Sequence, residues 1–312
     1  MEKKLKIIYL GHLDNNKVRD SDEDIRDALL ELGHEVIGFD DRTFTIKDIL
    51  EVKKPDMFLF HKGGVMGDAE NFNITLQRLA VILQNLKEMH KGKCKTAFWY
   101  PDKVWGNRDD WMRTFVPMVD AGFLVDQTWM RRHNTINLFP LVQGVAPFDL
   151  EAGKFNRRYA ADIAFVGGTY GIRQVFVEQM KEAYGKKFKV FNDLWEDKWR
   201  DACASISLMV APLHPADDFY WSVRLQRTLG AGQAILHPRL QGMKDLGFVD
   251  GKHYLGYSSW KEFRAKLEEA IKPENAGALA KIGKEGQAFV HANFTYKQQL
   301  AKLINKVYEK KQ

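Results

Sequence analysis

Arg224 stands near the start of a short apolar-periodic segment, after Tyr220, Trp221 and Ser222 and ahead of the glycine turn at Gly230 and Gly232. An arginine so placed offers a planar fork of donors, and backbone N–H groups at a helix start add to its positive field, so a pyrophosphate suits it. Arg227 is a second cation on the same segment. A glycine loop, Gly167-Gly168-Thr169-Tyr170-Gly171 followed by Arg173, comes directly after an apolar run, and strand, loop and helix in that order again aim N–H groups at an anion. Its spacing is not GxGxxG, and it lacks the lysine of a P-loop. His12, His61 and Asp102 each close an apolar run, where a proton-transfer group is well placed, and Asp102 ranks first as a base. His214 and Tyr220 are further candidates for lining an anion pocket. Plain roles compete: a solvated helix face for Arg224, core for Tyr220 and Trp221, and loop positions for the histidines.

These residues need a scaffold, and the hydrophobic pattern supplies one. Residues 5–10, 35–39, 57–60, 95–99, 123–125 and 136–141 read as buried strands. Ile25, Ala28, Leu29 and Leu32 fall on one helical face between the first two, with Gly33 as a stop. The second half repeats the rhythm with strands at 162–166, 188–191, 206–213, 233–236 and 253–257. Such βα alternation predicts parallel, Rossmann-like sheets with ligands at the carboxyl ends of the strands. Asp20-Ser21-Asp22 resembles a metal-holding pair in spacing, but it opens a helix, so capping explains it. Ser259 and Glu262 have the spacing of a capping box.

The chain has 312 residues, 45% of them hydrophobic and 12% aromatic, which predicts two folded domains. A polar stretch at 151–158 places the boundary, giving domains 1–152 and 153–312. The final helix, about 296–312, carries Leu300, Leu303, Ile304 and Val307 on one face. No apolar run reaches the length of a membrane span, and no signal-peptide region is evident. Two cysteines, Cys94 and Cys203, exclude a disulfide scaffold or a cysteine zinc site and suit a reducing cytoplasm. A net charge of +6 fits an anionic ligand.

Ser222-Val-Arg224, then Thr228-Leu-Gly-Ala-Gly232, Ile235-Leu-His-Pro238 and Gly242, together with Gly251-Lys-His-Tyr254, resemble the donor-site segment of the CgeB-like glycosyltransferases, which belong to the group 1 glycosyl transferases. Upstream, Asp162-Ile-Ala-Phe-Val-Gly-Gly168 and Arg173 extend the resemblance. It covers the C-terminal half and is looser before it. It implies a GT-B architecture: two Rossmann-like parallel-sheet domains facing across a cleft, with the last helix crossing back. It also implies a nucleotide-sugar donor bound by the C-terminal domain through Gly168, Thr169, Tyr170, Arg173, His214, Tyr220, Ser222 and Arg224, and a hydroxyl acceptor on the N-terminal side. No cofactor or metal is expected beyond the donor substrate. Relatives carry a glutamate for the ribose where this chain has Arg227, and a cation cannot accept the ribose hydroxyl protons. Either another group holds the ribose, Arg227 faces phosphate, or donor binding is altered. Two other functions stay open: transfer to modified bases of viral DNA, and an inactive nucleotide-binding scaffold.

Overall fold

Continuous apolar runs, rather than alternating ones, mark strands covered on both faces, and they form the centre of two separate sheets. The computed structural model describes residues 3–13, 21–61, 69–104, 106–133, 135–212 and 217–309. The chain divides into two units, Met1–Gln143 with Tyr296–Gln312, and Gly144–Thr295.

In the first unit the elements run β1 (Lys6–Gly11), α1 (Ser21–Glu31), β2 (Glu35–Asp40), α2 (Ile46–Leu50), β3 (Met57–His61), α3 (Ala69–Met89), β4 (Lys95–Tyr100), α4 (Asn107–Phe115), β5 (Ala121–Leu124), α5 (Gln127–His133) and β6 (Leu138–Pro140). The strands pair in the order β2-β1-β3-β4-β5-β6, all parallel. Ile7 and Ile8 of β1 sit opposite Met57 and Phe58 of β3, and all four are fully buried. Gly33 ends α1 at φ 87°, a backbone conformation that costs glycine nothing. The strand expected at 136–141 is shorter, because the Asn137 amide donates to the carbonyls of Val116 and Val119 and holds the approach as a turn. Ile136 is consequently 91% exposed.

In the second unit a 3-10 turn at Pro147–Leu150 precedes β7 (Ala161–Val166), α6 (Ile172–Tyr184), β8 (Phe188–Phe191), α7 (Glu196–Ser205), β9 (Ile206–Val210), α8 (Arg224–Gly230), β10 (Ile235–Pro238), α9 (Gln241–Asp245), β11 (Leu255–Tyr257), α10 (Trp260–Ala270) and α11 (Ala276–Asn293). The sheet order is β11-β10-β9-β7-β8, again parallel throughout. Ile163, Phe165, Leu208, Val210 and Leu236 form its core with Phe176, Met180 and Phe263 from the flanking helices. Half of the capping box at α10 forms. Ser259 Oγ accepts the Glu262 N–H, while the Glu262 carboxylate accepts from Ser258 N–H and is held by Arg239.

The polar stretch at 151–158 lies inside the second unit. The turn before it carries Asp149 and Leu150 onto α8, against Arg227 and Gly230. The last helix, α12 (Tyr296–Tyr308), belongs to the first unit, with Leu300, Leu303, Ile304 and Val307 buried. Its Tyr308 hydroxyl donates to the Asp56 carbonyl at 2.7 Å, and the Tyr296 ring meets Trp99 edge-on at 6.0 Å.

Candidate functional site

In a parallel sheet every strand delivers its carboxyl end to the same edge, so the loops after β7 and β8 and the segment leading into α8 share one face of the second unit. Gly167 follows β7 directly at φ 139°, and its N–H donates to Phe191 O, tying the ends of β7 and β8 together. A Cβ here would lie 2.2 Å from Arg224 Nη2. Only glycine lets the guanidinium come so close to the backbone. Arg224 Nε donates to Val166 O at 2.5 Å, and its guanidinium lies 4.8 Å from the Phe165 ring centroid. Ser222 is used locally, its Oγ accepting the Arg224 N–H.

Arg173, in the first turn of α6, stacks 4.8 Å over the Tyr170 ring and donates to the Tyr170 hydroxyl at 2.9 Å. Gly168, Thr169 and Tyr170 are exposed beside it. Neither Arg173 nor Arg224 has a carboxylate partner among the described residues. Burial pushes Arg224 down to about 10, Arg173 pushes the same way, and Tyr170 and Tyr220 oppose the shift. The arginine therefore stays charged at neutral pH in a site that repels further cations and favours an anion. α8 has only seven residues with Arg224 first, so the charge at this point is that of the side chain rather than of the helix. Trp221, 3% exposed against Gly242, is core. His214 lies outside the described residues.

Arg227 points elsewhere. Its Nε and Nη2 make a bidentate pair with Asp149, which is 4% exposed, and its guanidinium lies 4.5 Å from the Trp199 ring and 5.3 Å from the Trp195 ring. The fork is occupied by protein. No local pattern marks Asp149, because 78 residues separate it from Arg227.

His237, on β10, is buried, and its Nδ1 lies 2.9 Å from Pro238 O. Burial pushes it down to about 4, the Pro238 carbonyl opposes that, and Arg224 adds a smaller push downward. Between about 4 and 6.5 the unfolded chain binds the proton and the folded one does not, so this contribution is complete above pH 6.5 and is lost as pH falls towards 4. The loss amounts to about 1.4 kcal/mol per pH unit across that window. Melting curves from pH 7 to 4.5 are expected to show a shallower acid slope in His237→Gln than in the wild type. An identical slope would remove His237 from the account.

The first unit gathers its own polar group where β1, β2 and β3 end. His61 is 1% exposed, its Nδ1 is 2.8 Å from Asp22 Oδ1, and its Nε2 is buried without a hydrogen-bond partner among the described residues. The Tyr9 hydroxyl donates to the same carboxylate oxygen at 2.6 Å. Asp22 thus faces the core and holds a histidine and a tyrosine, where the sequence suggested a cap on a helix start. Gly11 leaves room for it: a Cβ there would lie 2.3 Å from Asp22 Oδ1. His12 Nδ1 stands 3.5 Å from Asp41. Burial and the nearby Asp22 raise the Asp41 carboxyl above its ordinary value, and His12 offsets part of this. Asp102, after β4, is partly exposed, 4.0 Å from Arg108 Nη1. Its loop is fixed by Asp126, whose carboxylate accepts the N–H groups of Val104 and Trp129. His12 and His61 thus belong to one cluster at the ends of β1 to β3, and Asp102 follows the next strand.

Solved structures share this architecture along almost the whole chain. Anabaena Alr3699/HepE, solved with UDP-glucose, aligns with a TM-score of 0.62 at 12% identity, covering 96% of this chain and 99% of that one. An alpha-glucosyltransferase (AGT), solved with UDP, aligns with a TM-score of 0.64 at 7% identity, covering 98% and 100%. Sucrose-phosphate synthase from Thermosynechococcus elongatus aligns with a TM-score of 0.59 at 9% identity, covering 97% and 99%. The fold is the GT-B fold of glycosyltransferases. Residues 173–305 match the Glycosyl transferase-like family, a span that begins at Arg173 and takes in Arg224. Fold and family match agree on one enzyme class, glycosyltransferase. No protein of curated function matches the chain.

Proposed function

We propose that this chain is a CgeB-like transferase that moves a sugar from a nucleoside-diphosphate sugar, with UDP as the nucleotide, to a hydroxyl-bearing acceptor. The observation that carries this is the pair Arg224 and Arg173 beside the Gly167-Gly168 loop, two guanidiniums with no carboxylate partner among the described residues. As the bond between the anomeric carbon and the diphosphate oxygen breaks, negative charge collects on the leaving diphosphate, and fixed cations stabilise it most at that moment. This role is commonly taken by a divalent ion, and here the arginines supply it. The acceptor oxygen forms the new bond and gives up its proton. Of the three candidate bases, Asp102 is partly exposed, where an acceptor hydroxyl can reach it, whereas His61, fixed at Nδ1 by Asp22, keeps its Nε2 buried. UDP is favoured because HepE and AGT, which share the fold, are solved with it. Two buried free cysteines suit a reducing cytoplasm.

The test is a thermal-shift panel of UDP, GDP, ADP, CMP and TDP, followed by assay of UDP-glucose hydrolysis. UDP at about a hundred times its dissociation constant is expected to stabilise the fold by roughly 2.7 kcal/mol. If no nucleotide moves the midpoint and no donor is cleaved, the transferase reading falls and a scaffold that has lost its donor takes its place.

A further inference from the structure

The opposite edge of the second sheet, where β7 and β8 begin, carries a cationic patch that the donor chemistry does not use. Lys154, Arg157 and Arg158 are exposed on the loop before β7, and Lys186 and Lys187 are exposed on the turn before β8. None of the five has an ion-pair partner among the described residues. Phe155 stands out from the same loop, 71% exposed, and shares a shallow hollow with Lys186, Lys187 and Lys189. One carboxylate, Asp162, also lines that hollow. The loop is pinned on both sides of the phenylalanine: Lys154 N–H donates to Asp201 at 2.9 Å, and Asn156 N–H donates to Ser205 Oγ at 2.7 Å. The ring is therefore held in water by a fixed backbone. β7 separates this patch from the donor loop by its six residues, roughly 20 Å at the usual strand rise.

We propose that this edge docks on an anionic lipid bilayer, with Phe155 entering the interface and the surrounding lysines and arginines meeting the headgroup phosphates. One apolar tip encircled by point charges matches a lipid surface. A nucleic-acid strand would call for a charged groove and several aromatic platforms for successive bases, and the patch has a single ring. Docking here leaves the donor loop at the far end of the strand, open to its substrate. The proposal is independent of which sugar or acceptor is used.

Flotation with vesicles of phosphatidylcholine alone, and of phosphatidylcholine mixed with phosphatidylglycerol, tests it. The full chain is expected to float with the mixed vesicles only and to be released by salt. The pair Lys186→Ala and Lys187→Ala should lower partitioning about 25-fold, taking roughly fivefold per cation, and Phe155→Ser about tenfold. Both variants should keep the wild-type melting point and the same response to nucleotide, since these side chains are exposed and outside the donor site. Equal binding to neutral vesicles, no binding to either, or undiminished binding by the variants overturns the proposal. Salt-sensitive retention of a DNA duplex without vesicle binding would make the patch a nucleic-acid surface instead.

Discussion

Arg224→Ala is expected to lower kcat/KM for a UDP-sugar by about a thousandfold, the loss of roughly 4 kcal/mol that follows removal of a preorganised donor to developing charge. The side chain is fixed before any ligand arrives, by Nε on the Val166 carbonyl and by the Phe165 ring beneath it. Its remaining N–H groups need no rearrangement to meet a phosphate. Arg224→Lys should recover little of the loss. An ammonium restores the charge, but it can neither keep the Val166 contact nor present two parallel donors. The UDP-induced melting shift should vanish in the alanine variant while the unliganded melting point stays near wild type, because relief of repulsion from Arg173 offsets the lost backbone contact. A variant with wild-type kcat/KM, or one that loses activity only through a lowered melting point, would remove Arg224 from the chemistry.

Arg227→Ala is expected to act on stability instead, by about 3–5 kcal/mol. It would leave the Asp149 carboxylate, 4% exposed, with its bidentate partner gone. For a unit of this size the melting point should fall by roughly 10 °C. Neutralising both members, Arg227→Met with Asp149→Asn, should recover much of that, since breaking a buried pair costs far more than replacing it. Nucleotide affinity measured well below the transition should be nearly unchanged. A fall in affinity without a fall in melting point would return Arg227 to the donor site, as one of the alternatives drawn from the sequence had it.

What was legible in the sequence follows from the range of the forces involved. Burial of a strand on both faces leaves a local trace, so the runs around Ile7, Phe58 and Ile163 could be placed within a residue or two. Gly167 and Arg224 stood out through the glycine loop and the helix start beside them, although 58 residues separate Val166 from the arginine that grips it. Asp149 and Asp22 could not be found that way. Each carboxylate is defined by a partner far along the chain, Arg227 in one case and His61 in the other. An aspartate that binds across a fold looks the same in sequence as one that caps a helix, and Asp22 lies near the start of α1. The strand expected at 136–141 is shortened to Leu138–Pro140 for a related reason: side-chain hydrogen bonds from Asn137 outweigh a local apolar preference at its start.

α12 gives the chain an order of assembly. The first unit is made of two separated pieces, residues 1–143 and 296–312, and the second is one continuous piece between them. A polypeptide emerging from the ribosome therefore presents the whole of 144–295 before the helix that covers α1 exists. Until then the faces that bury Leu300, Leu303 and Ile304 have nothing to bury. The segment synthesised first is thus the last to be completed, reversing the amino-to-carboxyl sequence in which consecutive domains ordinarily fold.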